Sequence, residues 1–136
     1  MPKYQEHGER ELKVLDLSRE FVLTTLRLLK SENIIPKSYR WMGLNKISEM
    51  VIDIDINLNK ANNIKVTNKL EYESRHHFQT LAYSSLVTTG EMLDTYFRIF
   101  DMKVKTLNNW LNKKAELQRY ITAWCKSDEA RYQDIG

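Results

Sequence analysis

The stretch "VIDIDINLNKANN", Val51 to Asn63, carries three conflicting structural patterns. Ile and Leu alternate with Asp and Asn, which is typical of a half-buried β-strand. Asp53, Asp55 and Asn57 also stand at the first three ligand positions of a calcium-binding loop. The same residues continue an apolar repeat that begins before Val51. The choice between these patterns decides whether the fold is built from strands or from helices.

The apolar repeat favours a helix, because it steps by four, three, four and three residues. Its members are Ile47, Val51, Ile54, Leu58 and Ala61, and Leu44 extends it backwards. Ile52 and Ile56 lie four residues apart on its flank, so the alternation arises from two interleaved apolar rows. The calcium interpretation fails because Leu58 and Ile64 occupy the positions that require Gly and Glu.

The composition also predicts an all-α protein. The chain has 136 residues, of which 42% are hydrophobic, but only four glycines and two prolines for the turns of a sheet.

Its single cysteine, Cys125, cannot form an internal disulfide, which indicates a reducing compartment. The charged N-terminal stretch lacks the apolar core of a signal peptide, and no apolar run is long enough to span a membrane. We therefore expect a cytoplasmic protein.

Four amphipathic segments predict a single domain, 1–136, folded as an antiparallel up-and-down four-helix bundle. We expect helices at about 9–33, 38–62, 68–101 and 105–126, with a frayed tail at 127–136, and Thr67 or Asn68 as the cap of the third helix. The apolar row of the first helix is predicted as Leu12, Leu15, Val22, Leu26 and Leu29. That of the third is Phe78, Ala82, Ser85, Thr89, Met92, Tyr96 and Ile99. That of the fourth is Leu107, Trp110, Leu117, Ile121 and Trp124, with Lys114 in the intervening slot.

The small and polar stretch Ser84–Gly90 in the third helix leaves three interpretations open. It permits close approach of another helix, marks a kink, or contacts another subunit.

No combination of residues in the sequence predicts catalysis. The chain has one Glu-x-x-His pair, Glu73 to His76, whereas a di-metal bundle needs two such pairs and further carboxylates. His76 and His77 are adjacent, so on a helix they point about 100° apart and cannot share a metal. Cys125 has no histidine near it in sequence to act as its base. We expect no enzyme activity, no metal and no cofactor.

Positive charge is concentrated in two segments. Residues 36–70 hold six basic and three acidic residues, and residues 102–126 hold six basic and one acidic. Such segments form either a patch for a polyanion or a solvated helix face. The candidates for nucleic-acid contacts are Lys37, Arg40, Lys46, Lys103, Lys105, Lys113, Lys114, Arg119 and Lys126, with Tyr120 as a candidate for stacking on an unpaired base.

Residues 35–128 resemble the accessory variability determinant proteins of diversity-generating retroelements, which share their bundle with the ribosomal-RNA intervening-sequence proteins. The matching positions are Pro36, Lys37, Arg40, Gly43, Lys46, Ile47, Ala61 and Asn62, followed by "GEMLDTYFRIFDMK" and "ELQRYITAWCKSD". One departure is the pair Thr122 and Ala123, where the family often has two glycines. This difference bears on packing at the end of the helix.

The resemblance implies a ring-like homopentamer with a positively charged surface that engages a reverse transcriptase and its template RNA. Such a protein is a non-catalytic accessory subunit that supports mutagenic complementary-DNA synthesis. We further predict that Ile52 and Ile56 meet another subunit, because this face of the second helix is wider than one neighbour covers. The alternatives are an interaction protein without nucleic-acid binding, in the manner of the intervening-sequence proteins, and a metal-dependent bundle enzyme.

Overall fold

The computed structural model describes the backbone of residues 3–39 and 43–136 and the side chains of residues 13–39 and 43–136. The described residues form four α-helices and one short 3-10 helix, with no strand among them. The α-helices are α1 (Lys3–Lys30), α2 (Leu44–Asn63), α3 (Lys69–Ile99) and α4 (Val104–Tyr132), and the 3-10 helix is Lys37–Tyr39. The predicted all-α, antiparallel up-and-down four-helix bundle is confirmed.

Each helix packs against its neighbours in the chain, and α1 closes the bundle by packing against α4. The connection between α1 and α2 therefore lies beside the connection between α3 and α4, at what we call the proximal end. There the Tyr39 ring lies 5.5 Å from the Phe100 ring, measured between centroids. At the opposite, distal end, the backbone N–H of Lys69 donates to the carbonyl of Gly136 at 2.9 Å.

The stretch from Val51 to Asn63 is helical throughout, as the four–three repeat predicts. All six residues of that repeat are buried, namely Leu44, Ile47, Val51, Ile54, Leu58 and Ala61. Asp55, one of the supposed calcium ligands, instead accepts a hydrogen bond from Ser18 Oγ of α1 at 2.8 Å. Ile52 and Ile56 remain 40% and 43% exposed.

The apolar row of α4 is also confirmed, because all five of its predicted apolar residues are buried. The rows predicted for α1 and α3 are only partly correct. Val22 and Leu29 of α1 and Ala82 and Thr89 of α3 are buried as predicted, and Leu12 lies outside the residues whose side chains are described. In α3, Met92 and Ile99 are exposed, whereas the buried residues are Arg75, Gln79, Ala82, Leu86, Thr89, Gly90, Leu93 and Phe97. In α1, Leu15 and Leu26 are only partly buried, and Ser18 and Thr25 are fully buried. Polar residues occupy core positions in both helices, and Gly90 does so in α3, so hydrophobicity alone includes residues from a neighbouring row.

A hydrogen-bonded tryptophan joins three helices in the middle of the core. The Trp110 ring lies 5.9 Å from Phe21 of α1 and 5.2 Å from Phe97 of α3, the latter edge to face. Its Nε1 donates to Thr25 Oγ1 at 2.9 Å, and that hydroxyl donates to the Phe21 carbonyl at 2.7 Å. Thr25 thus satisfies a buried donor that would otherwise lack a partner.

The prediction of a frayed tail at residues 127–136 is wrong, since α4 continues to Tyr132. Asp128 is fully buried and forms an ion pair with Arg75 of α3, with Asp128 Oδ2 2.9 Å from Arg75 Nε. Gln79 Nε2 donates to the same oxygen at 2.9 Å. The Arg75 guanidinium also lies over the Trp124 ring, 5.0 Å from its centroid. We call Arg75, Gln79 and Asp128 the distal polar cluster, and it holds the last turns of α4 against α3.

The helix ends use both common and unusual capping residues. Asn68 caps α3, as predicted, because its Oδ1 accepts from the Glu71 N–H at 2.9 Å. The Glu71 carboxylate accepts in turn from the Thr67 side chain and N–H, and these bonds lower the pKa of Glu71. Beyond α3, Asp101 takes a left-handed conformation at φ 53°, and the Met102 N–H donates to the Phe97 carbonyl at 2.9 Å. This is a Schellman ending with Asp at the position that usually holds Gly.

Candidate nucleic-acid interface

Four of the predicted contact residues gather at the proximal end. Lys37 belongs to the 3-10 helix and Lys46 to the first turn of α2, while Lys103 and Lys105 flank the start of α4. All four side chains are exposed. The antiparallel order of the helices brings these positions together, although the sequence separates Lys37 from Lys103 by the length of two helices. Arg40, also predicted, lies outside the described residues.

Lys113 and Lys114 are partly buried, and each contacts a neighbouring helix. Lys113 Nζ forms an ion pair with Glu20 of α1, and this bond and charge lower the pKa of the Glu20 carboxyl. The stem of Lys114 lies against Gly90 of α3, where an added Cβ would overlap Lys114 Cδ and Cε. Of the three interpretations of Ser84–Gly90, close approach therefore applies at Gly90, with a side chain of α4 filling the space.

Arg119 and Lys126 lie together in a shallow groove between α3 and α4. The groove has a volume of about 460 Å³ and is lined by Tyr83, Ala115, Gln118, Arg119, Thr122, Ala123 and Lys126. We call it the α3–α4 groove. Both cations are exposed, neither forms an ion pair with any described residue, and no described lining residue is acidic. Glu116 and Glu129 stand one turn before Arg119 and one turn after Lys126 but do not line the groove.

The aromatic ring in this groove belongs to Tyr83, which the sequence analysis missed. Tyr83 is 38% exposed, whereas Tyr120 is partly buried and packs against the hydrophobic core. The stacking role of Tyr120 stays a prediction, and its packing gives it no support. No local signal could have found Tyr83, because it lies on a different helix within an acidic segment. Thr122 and Ala123, which depart from the family's glycine pair, are exposed lining residues of the groove.

The groove can bind an anion that carries a flat ring, since it combines two cations, an aromatic side chain and short neighbours. Gln118 and Thr122 add neutral hydrogen-bonding groups, and the Thr122 hydroxyl already donates to the Gln118 carbonyl at 2.9 Å. The Thr122 oxygen is therefore available as an acceptor.

Nucleophilic chemistry at Cys125 receives no support from its surroundings. Burial, together with a smaller effect of the nearby Asp128 carboxylate, raises the pKa of the Cys125 thiol to about 11. A thiol with that pKa is almost fully protonated at neutral pH and is a poor nucleophile. Its Sγ donates to Gln79 Oε1 at 3.5 Å, beside the distal polar cluster.

The part of the chain that the structure describes contains no group of three or more side chains placed to hold a metal ion. None of its helices has an apolar stretch of the length and hydropathy that a membrane crossing requires.

No protein-family model matches the chain, and comparisons with curated proteins and with solved structures found no match. The function must therefore be argued from the charge and shape of the described surface. The resemblance to the accessory variability determinant proteins stays a prediction that rests on the matching residues of the sequence.

Proposed function

We propose that this chain is a non-catalytic accessory subunit that binds template RNA and a reverse transcriptase in a diversity-generating retroelement. The observation that supports the proposal is a row of exposed cations along α4. Lys105, Arg119 and Lys126 are spaced at multiples of seven residues, so they lie within about 60° of one another around the helix. None of the three forms an ion pair with a described residue. Phosphate groups are the natural counter-charges for such a row.

The proximal lysines extend this row at the start of α4. Lys37, Lys46 and Lys103 lie at the same end of the bundle as Lys105 and are also exposed. The row itself spans about 30 Å, since 21 residues separate Lys105 from Lys126 at about 1.5 Å each. A strand of RNA laid along α4 would therefore meet several cations in succession, and the phosphates would contribute most of the affinity.

A salt titration of RNA binding tests this proposal. We expect the affinity for a short fluorescent single-stranded RNA to fall about tenfold or more between about 50 and about 200 mM salt, because each phosphate contact contributes a slope near −0.7. The triple variant Lys105→Gln, Arg119→Gln, Lys126→Gln should flatten the log–log slope by about 2.

The matched control removes the same number of charges from the exposed face of α1, as Lys13→Gln, Arg19→Gln, Arg27→Gln. It should retain the slope of the unmodified protein, because only the overall charge changes. A flat response of the unmodified protein, or equal losses in both triple variants, would count against the proposal. A flat response would favour an interaction protein without nucleic-acid binding.

Co-purification with the reverse transcriptase tests the second partner.

The proposal includes self-association, which the resemblance implies, and assigns it to α2 because the apolar face of this helix is wider than one neighbour covers. Ile52 and Ile56 are the exposed apolar side chains on the outer face of this helix, and burial of each would be favourable by roughly 1 kcal/mol. We expect Ile52→Asp to fold but to show a lower solution mass than the unmodified protein, by light scattering or sedimentation. An unchanged mass would remove this face from the proposed interface.

A further inference from the structure

We propose that the α3–α4 groove is a subsite for one unpaired nucleotide, whose base stacks on Tyr83 while its flanking phosphates contact Arg119 and Lys126. The inference rests on the proposed function and goes further, because it assigns a specific aromatic residue and a preference for single-stranded RNA. The juxtaposition is a property of the tertiary structure, since Tyr83 comes from α3 and both cations come from α4.

The charges of the groove select the occupant. Arg119 and Lys126 stand about 10 Å apart along α4 at about 1.5 Å per residue, which allows each to contact a different phosphate. No acidic side chain is among the described residues that line the groove, so a polyanion meets no opposing charge inside it. An acidic peptide would share the charge complementarity, but it would leave the aromatic ring without a flat partner.

The shape of the groove suits a base next to those phosphates. Ala115 and Ala123 are short and exposed, so they leave the α4 surface open beside the larger side chains. The volume of about 460 Å³ falls within the range of about 300–1,000 Å³ that is common for small-molecule clefts. Stacking on an exposed aromatic ring is tolerant of base identity, because every base has a π face. Gln118, next to Arg119 in the chain, also lines the groove and offers an amide to the edge of the base.

The test compares the binding of a short fluorescent oligouridylate with that of the corresponding uridylate–adenylate RNA duplex, by fluorescence anisotropy. Tyr83→Leu should lower the affinity for the single strand by about fivefold or more, because it removes base–aromatic stacking. Its affinity for the duplex and its salt slope should be unchanged. Tyr83→Phe should bind as the unmodified protein does, because the ring is retained. Leu81→Ala, which removes another exposed apolar side chain from α3, is the matched control and should have no effect.

The outcomes separate this inference from the proposed function. If Tyr83→Leu binds oligouridylate normally while the triple glutamine variant of α4 does not, the subsite is wrong and the proposed function stands. If Tyr83→Leu weakens the duplex as much as the single strand, or if Tyr83→Phe behaves like Tyr83→Leu, stacking on Tyr83 is refuted. If the unmodified protein binds neither RNA, the proposed function fails and the subsite fails with it. Circular dichroism of each variant verifies that the bundle is folded.

Discussion

Replacement of Asp128 by Ala should lower the free energy of unfolding by about 3–5 kcal/mol. Asp128 is fully buried and Arg75 is 4% exposed, so the variant leaves a guanidinium in the core without its counter-charge. Gln79 Nε2 also loses its acceptor. Domains of this size are stable by about 5–15 kcal/mol, so this loss is a large fraction of the total stability. Urea unfolding followed by far-UV circular dichroism measures the change.

Two further variants identify the cause of this loss. Glu129→Ala alters the exposed neighbour of Asp128 and should stay within about 0.5 kcal/mol of the unmodified protein. The double variant Arg75→Met, Asp128→Leu removes both charges and should recover most of the stability, since an apolar pair often replaces a buried ion pair at little cost. If Asp128→Ala cost less than about 1 kcal/mol, the ion pair would not be the contact that holds the end of α4.

Replacement of Trp110 by Ala should cost about 3–5 kcal/mol in the same unfolding measurement. The indole is fully buried and contacts the rings of Phe21 and Phe97, so its loss opens a cavity where α1, α3 and α4 meet. The loss of the indole donor leaves the Thr25 hydroxyl with a hydrogen-bond partner, because it still donates to the Phe21 carbonyl. Trp110→Phe should cost less than Trp110→Ala, because a phenyl ring fills part of that cavity.

The hydrogen bond of Trp110 can be separated from its packing. Thr25→Val keeps the shape of the side chain but leaves Trp110 Nε1 buried without an acceptor, which should cost about 1–3 kcal/mol. In a background of Trp110→Phe the same change should cost less, because no indole donor remains, and the difference is the coupling energy of the pair. Thr88→Val, at an exposed position of α3, is the control. Equal costs in the two backgrounds would show that the hydrogen bond contributes nothing.

The helices that sequence analysis described best are those whose core rows are almost wholly apolar. The row of α2 from Leu44 to Ala61 is apolar at every position, so hydrophobic burial alone fixes its orientation. In α3 half of the buried positions hold Arg, Gln, Thr or Gly, and of these four the predicted core row included only Thr89. Arg75 and Gly90 are accommodated by contacts from another helix, Arg75 by Asp128 and Gly90 by the Lys114 stem.

At the candidate interface, too, the sequence predicted some features and only the packing of the helices decided others. The excess of positive charge in residues 102–126 was evident from the sequence, and it identified Arg119 and Lys126. The sequence did not distinguish these exposed cations from Lys113, which pairs with Glu20 across 93 positions of the chain. It also could not associate Tyr83 with Arg119, because their proximity depends on how α3 and α4 pack.

The sequence by itself therefore determined the helical class, the bundle, the orientation of α2 and α4, and the helix that carries the positive charge. These properties follow from local periodicity and composition, which act over a few turns of helix. Only the tertiary structure decided that α4 continues past Lys126, which polar residues are buried, and which cations remain exposed beside an aromatic ring. Those properties depend on pairs of side chains from different helices, because a polar or charged group is stable in a core only where its partner is present.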